Sequence, residues 1–245
     1  MYIRKKKNKG VSVRQSGQIK SLHSFSFYNY YDENHVGYGD ILAFNQDVFS
    51  PNTHTGFFPI KGHDVVIFVR EGRLTLHVKG QKKLAYERHD VVLIKSGDFG
   101  MDVSIINDIS HKDLEVYVLY FKSTVSKKSV VQHVSYTAFE GLKSIILPTL
   151  ISHGHLSLQP SDVKVFYLSE DMGSEFVYPK GKNRKLWVEV LKGELELDKG
   201  FWGENLTTLQ AGDAVGLSER FNKLIFEAKT GVEAILVDMP SDTDT

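Results

Sequence analysis

Ten histidines and thirty carboxylates, without a single cysteine, set the chemistry open to this 245-residue chain. Its one His-x-His, His153-Gly154-His155, would put two imidazoles on one face of an extended segment, where they could trap Zn²⁺ or Ni²⁺. Two ligands do not complete a site, and the segment reads better as a polar surface turn hinged at Gly154. His63 and Asp64 are adjacent; on a strand neighbours face opposite ways, so at most one points inward. An inward Asp64 in apolar surroundings would have a raised pKa and could act as a general base. The simpler reading is a carboxylate bonded to backbone or water. His35 and His54 sit in polar loops, Asp32-Glu-Asn-His-Val and Pro51-Asn-Thr-His-Thr-Gly, and are expected at the surface. The run Phe25, Phe27, Tyr28, Tyr30, Tyr31 could stack nucleobases. Alternation instead puts Phe25 and Phe27 on one packed face, with tyrosines hydrogen-bonding at its rim.

Composition narrows the field further. Without cysteine there is no thiol nucleophile, disulfide, Cys-ligated zinc, iron–sulfur cluster or thiol switch. No Gly-x-Ser-x-Gly elbow and no Gly-rich phosphate loop occurs. Thirty Lys+Arg offset thirty Asp+Glu, which argues against bulk attraction to nucleic acid or anionic membrane. The run Arg4, Lys5, Lys6, Lys7, Lys9 reads as a solvated chain end, and direct nucleic-acid binding is not expected. No stretch approaches the ~18 apolar residues of a membrane span, and Met1 to Gly10 lacks the apolar region of a secretory signal. The expectation is a soluble, cytoplasmic protein with no membrane partner. At 41% hydrophobic and 24% charged residues, the chain can build a true core.

The elements that must position these side chains read as strands. Val65–Val69 and Val91–Ile94 are buried apolar runs, Leu74–Val78 alternates, and Leu114–Phe121 follows. Turn signals Glu71-Gly72, Lys79-Gly80 and Ser96-Gly97 separate them. One helix is expected, from Tyr136 to Ile146, capped by Thr137 with Glu140 three residues on. Val65–Leu76 resembles Leu186–Leu197: an apolar strand, a charged-Gly turn, an alternating strand. Gly72 and Gly193 lie 121 positions apart, and Asp90 and Asp213 lie 123 apart. A repeat of this length suits two similar β domains.

This order of turn glycine, alternating strand and Asp-apolar strand resembles the cupins, and more specifically the pirin family of bicupins. His23, Phe25-Ser-Phe-Tyr-Asn-Tyr-Tyr-Asp32, Gly37-Tyr38 and Leu42–Val48 look like the pirin N-terminal signature. Gly56–Gly72 and Ser96–Asn107 follow the family's two cupin motifs, and the likeness is looser over 160–240. The resemblance implies an all-β fold, a double-stranded β-helix repeated twice with few short helices. The domains expected are a basic segment at 1–19, an N-terminal cupin at 20–125, a connection at 126–159, a C-terminal cupin at 160–240 and an acidic tail at 241–245.

Pirins typically hold iron through a His-x-His in the first motif and a His-x-Glu in the second. Here the matching positions are Phe58-Pro59-Ile60 and Val103-Ser104-Ile105, with Asp64 in place of the motif glutamate. Phe58, Ile60, Val103 and Ile105 have no lone pair for a first-row ion. The resemblance is therefore to the metal-free branch of the pirin-like proteins. The second half offers no rescue: Phe176–Arg184 and Leu217–Asn222 contain no histidine. The expectation is a non-enzymatic protein without cofactor or catalytic residues, its apolar pocket formed by Phe58, Ile60, Asp64, Val103 and Ile105. Its role would be small-molecule sensing, regulation or contact with a protein partner, as a monomer. Trp187 is expected in the core, while Trp202, in Gly200-Phe-Trp-Gly203, could contact a partner. The alternative is a quercetin 2,3-dioxygenase-like enzyme with a rearranged metal site. Some pirins act as transcription cofactors, which is a third reading.

Overall fold

The computed structural model describes residues 1–122, 129–135, 141–146, 162–198, 207–218 and 224–241. No α-helix occurs among them, only strands and two single 3₁₀ turns, Lys6–Asn8 and Gln15–Gly17. The chain divides into two compact units. The described residues of Lys9–Thr137 form one; Met1–Asn8 and the described residues from 141 onward form the other.

In the N-terminal unit a seven-stranded antiparallel sheet runs in the order Val130–Ser135, Asp90–Lys95, His63–Glu71, Leu114–Lys122, Ile41–Phe49, Ile19–His23, Gly10–Arg14. A second sheet runs Thr53–His54, Met101–Asn107, Leu74–Val78, Leu84–Tyr86, and Phe58–Ile60 also pairs with Met101–Asn107. The apolar faces of the two sheets meet in one core, to which Val65, Ile67, Val69, Leu76, Val116 and Val118 contribute. His63–Glu71 is central and buried on both faces, so it reads as an unbroken apolar run rather than an alternation.

The C-terminal unit repeats the plan. One sheet runs Tyr2–Arg4, Ala214–Leu217, Arg184–Lys192, Val232–Pro240, Lys164–Glu170, Gly141–Ile146; the other runs Glu175–Tyr178, Leu224–Ala228, Glu194–Asp198, Thr207–Gln210. Its core gathers Leu186, Val188, Val190, Leu195, Phe226 and Leu236. The repeated aspartates do the same local work in both units. Asp90 accepts a hydrogen bond from the Glu87 amide at 2.8 Å, and Asp213 accepts one from the Gln210 amide at 3.1 Å. Each closes the turn that feeds the next strand.

Two expectations are corrected. The helix expected from Tyr136 to Ile146 is not formed over its described part. Gly141–Ile146 is a strand, paired from Gly141 opposite Ser169 to Ile146 opposite Val165, while 136–140 lie outside the described residues. Pairing with a preformed edge satisfies backbone groups that a short helix containing Gly and adjacent isoleucines would hold weakly. Nor is the basic N-terminus a free end. Tyr2–Arg4 pairs with Ala214–Leu217, Arg4 and Lys9 are buried, and the Lys5 ammonium lies 2.8 Å from Asp213 Oδ2. The Lys6 amide also donates to Asp213 Oδ1 at 2.7 Å. Lys6 and Lys7 remain exposed.

Candidate functional site

The four apolar residues at the positions where the resemblance implies ligands lie on one face of the N-terminal unit's core. Phe58 stands directly opposite Val103 across the Phe58–Ile60 and Met101–Asn107 pairing, and Ile60 and Ile105 lie two residues along their strands on the same face. Ile60, Val103 and Ile105 are essentially fully buried in the N-terminal core, and Phe58 packs against them half-buried. Side chains on this spot can exclude water and make dispersion contacts; none can donate a lone pair. Among the described residues, no three His, Cys, Asp or Glu side chains gather as a metal site. The four residues do not fit an iron or nickel ion.

Asp64 is not part of this pocket. Val65, Ile67 and Val69 point into the core, so the pleat turns Asp64 to the opposite face with Val66 and Phe68, and turns His63 inward. Asp64 is buried and accepts a hydrogen bond from the Ser96 amide at 3.2 Å, which fits the structural reading of its carboxylate. The His63 ring instead packs against Tyr120, centroids 5.2 Å apart, and desolvation lowers its pKa below the usual 6.5.

A cavity of about 520 Å³ opens beside Phe58 and Ile105. Phe27, Phe57, Phe58, Ile105 and Tyr120 give it aromatic and apolar walls; Arg14 and Asp47 give it one charged edge. The Phe27 and Tyr120 rings lie 4.7 Å apart. Burial pushes the Tyr120 phenol well above its ordinary value, and the Asp47 charge pushes it the same way.

Behind the charged edge lies a polar row that sequence reasoning missed. Ser12, Ser21 and Asp47 are register neighbours across three strands, and His23 pairs with Asn45 one step along. The His23 ring lies 2.7 Å from Ser12 Oγ through Nε2 and 2.8 Å from Asn45 Oδ1 through Nδ1, all three residues being buried. Desolvation lowers the His23 pKa, the Asn45 hydrogen bond opposing it. Desolvation raises the Asp47 pKa, opposed chiefly by Arg14. The signal was present in Ser12-x-Arg14, Ser21-x-His23 and Asn45-x-Asp47, three polar pairs with strand period.

These shifts predict a pH dependence. His23 and His63 both have folded pKa values below 6.5, so the folded state binds fewer protons than the unfolded chain once pH falls through that value. Their contribution to stability is complete above 6.5 and declines as pH falls toward the lowered values, by at most about 1.4 kcal/mol per pH unit for each histidine. Asp47, with a raised folded pKa, acts in the opposite sense, its contribution declining as pH rises above 3.8. Urea midpoints measured between about pH 8 and 5.5 should fall with acidity in wild type and fall less in His23→Gln. Parallel slopes would show that His23 does not titrate in this window.

The other sequence candidates lie elsewhere. His54 is exposed and accepts from the Gly56 amide at 3.0 Å, and His35 lies 3.7 Å from Asp32. Phe25 is fully buried as expected. Phe27 does not continue its face: Phe27 and Tyr30 close a tight turn by reciprocal backbone hydrogen bonds, which leaves Tyr28 and Tyr31 exposed and stacks Tyr30 on His23 at 6.0 Å. Trp187 is buried, its indole N–H donating to Glu189 at 3.2 Å. His153, His155 and Trp202 lie outside the described residues, as does most of Leu217–Asn222. In the C-terminal unit, Tyr178 donates to Asp238 at 2.5 Å and Arg184 bridges Asp238 and Asp162, a closed set of polar contacts without imidazole.

Comparison with known proteins agrees with this architecture. Residues 153–239 match a pirin family model described as the quercetinase C-terminal cupin domain. A putative quercetin 2,3-dioxygenase from Zymomonas mobilis is 25% identical over 96% of this chain and 97% of its own. A quercetin 2,3-dioxygenase from Escherichia coli is 22% identical over 98% of this chain and 99% of its own. The crystal structure of the bacterial pirin YhhW from Escherichia coli, in complex with nickel(II), superposes with a TM-score of 0.88 at 22% identity, covering 98% of this chain and 99% of that one. The model match over the C-terminal unit and this full-length likeness make the chain similar to the pirin-like bicupins, whose two-cupin fold it shares.

Proposed function

We propose that this protein is a metal-free pirin-like bicupin whose N-terminal barrel serves ligand binding and regulation rather than oxygen chemistry. The observation that carries the reading is the convergence of Phe58, Ile60, Val103 and Ile105 on one face, at the positions where the resemblance to pirins implies ligands. Ring-opening by O₂ in a metal-dependent dioxygenase needs an ion with an open coordination position. The only imidazole turned toward this core from the first motif is that of His63, packed on Tyr120. The adjoining cavity of about 520 Å³ falls in the range of small-molecule sites and combines apolar walls with few polar groups. A ligand held there could bias contacts with a protein partner.

The relatives' names favour a second reading, quercetin 2,3-dioxygenase-like activity through a rearranged site. One experiment separates the two. The purified full chain is dialysed, analysed for iron, nickel, copper and manganese, and assayed with quercetin with and without chelator. The expected result is metal far below one per chain and no chelator-sensitive turnover. Stoichiometric metal surviving dialysis, or quercetin turnover abolished by chelation, would overturn the proposal.

A further inference from the structure

Gly10–Arg14 ends the seven-stranded sheet, so one of its edges has no strand beside it among the described residues. Alternation shows which main-chain groups stay open there. The Ser24 amide donates to the Phe44 carbonyl, and the Ser50 amide to the Gln18 carbonyl. Even-numbered residues of this stretch therefore turn toward Ile41–Phe49, while Ile19, Ser21 and His23 turn toward Arg14, Ser12 and Gly10. Val11 and Val13 are left with N–H and C=O groups pointing outward. Their side chains are 67% and 57% exposed, and the pairing runs without a bulge or proline. Sheets usually guard such an edge with a charge, a proline or a bulge. Leu84–Tyr86 and Glu175–Tyr178, edges of the smaller sheets, are guarded by Lys82-Lys83 and by Glu175 and Pro179. The one charge of Gly10–Arg14, on Arg14, is spent lining the cavity.

The cavity opens at the Arg14 end of this same edge: Val13, Arg14 and Gln15 line it together with Phe27, Phe58 and Tyr120. At the Gly10 end the inner face is already covered, since a Cβ on Gly10 would lie 2.3 Å from the Tyr30 ring. Tyr28 and Phe57, which also line the cavity, are 70% and 48% exposed. Apolar surface of this kind beside open main chain marks an interaction site. We propose that an extended segment of a partner protein adds to the sheet along Val11 and Val13 and lodges one aromatic side chain in the cavity. Main-chain hydrogen bonds supply the affinity, and the cavity supplies the selectivity. Flat aromatic walls suit an aromatic side chain. Arg14 Nη2 lies 3.5 Å from Asp47 Oδ2, so the charged edge is balanced and favours an uncharged one. A second copy of this chain is the poorer occupant. Paired edge to edge, it would turn Gly10, Ser12 and Arg14 to the inner face, and none of these fills an apolar cavity. This inference rests on the ligand-binding reading of the cavity and names the ligand's class.

The probe is a fluorescein-labelled peptide, Lys-Thr-Val-Trp-Val-Thr-Lys, titrated with the full chain and followed by fluorescence anisotropy. Saturable binding is expected, weakened at least about tenfold when alanine replaces the tryptophan, in line with burial of one large side chain. An added strand bonds through alternate residues. N-methylation of one pair of amides, the two valines or the two threonines, should therefore abolish binding, and methylation of the other pair should leave it unchanged. In the protein, Val13→Pro removes an outward N–H without breaking a sheet bond, and should abolish binding with a small change in urea midpoint. Phe57→Ala should shrink the tryptophan preference and leave the dependence on peptide amides intact. Equal effects of the two methylations would overturn strand addition, and equal binding of the tryptophan and alanine peptides would overturn the cavity's part in it. No binding by any peptide would overturn the inference while leaving the cavity open to small molecules, so that the ligand-binding reading survives. Self-association abolished by Val13→Pro, without peptide binding, would overturn it in favour of a second copy.

Discussion

Writing the pirin ligand set back into this barrel is expected to cost most of its stability until metal is added. The Phe58→His/Ile60→His/Val103→His/Ile105→Glu variant replaces four packed apolar side chains, three of them fully enclosed, with groups that need partners. Each polar group buried unpaired costs on the order of 1–3 kcal/mol. Each lost aliphatic burial adds roughly 1.5–3 kcal/mol. The residues touch, so these terms do not add, but a net loss of about 5 kcal/mol or more is expected. That is comparable with the whole stability of a typical domain, about 5–15 kcal/mol. Because Phe58 stands opposite Val103 with Ile60 and Ile105 two steps along, the new side chains would converge as ligands must. Nickel(II) or iron(II) should therefore recover about 2.7 kcal/mol at a hundredfold excess over Kd. Thermal unfolding with and without metal makes the measurement. A metal-free variant as stable as wild type would show that this spot is neither dry nor tightly packed, and the proposed function would lose its main support.

The second large effect lies at the repeated turn. Gly193 has φ +76°, and a Cβ there would sit 2.2 Å from the Gly231 carbonyl oxygen; Gly72 has φ +81° and a Cβ 2.5 Å from the Asp113 carbonyl oxygen. Any side chain pays for the left-handed backbone, about 1–2 kcal/mol, and here it must also displace the backbone of a neighbouring segment. Gly193→Ala is expected to destabilise the C-terminal unit by about 3 kcal/mol or more. Gly173, in the same unit, at φ +84° with nothing within 4 Å of its Cβ position, is the control, and Gly173→Ala should cost only the backbone strain of about 1–2 kcal/mol. Both tryptophans lie in the C-terminal half of the sequence, so indole fluorescence in urea follows that unit. Equal losses for Gly193→Ala and Gly173→Ala would rule out the close approach to Gly231.

These two positions also show why the fold could be read from residues. A turn that needs positive φ under a crossing backbone accepts glycine almost alone, and the strands on either side must be apolar to be buried. The pattern around Gly72 therefore recurs around Gly193, and with it the whole sandwich. The proposed absence of a metal site is read from residues for a similar reason: none of the side chains of Phe58, Ile60, Val103 and Ile105 offers a lone pair to an ion.

What residue order left open was settled by pairing partners far away in the chain. The Gly141–Ile146 segment reads locally as part of a helix and becomes a strand because Lys164–Glu170 offers it an edge. Lys5 reads as a solvated charge and is held because Asp213 waits more than two hundred residues away. His63 and Asp64 could exchange roles on paper; the pleat phase set by Val65 in the assembled core sends the histidine in and the aspartate out. The Arg14–Asp47 edge exists only because three strands align in register. Local composition determines what each segment can become and which chemistry it can carry. Which face a side chain takes, and which partner it meets there, depends on long-range strand register, and no short window of sequence contains that information.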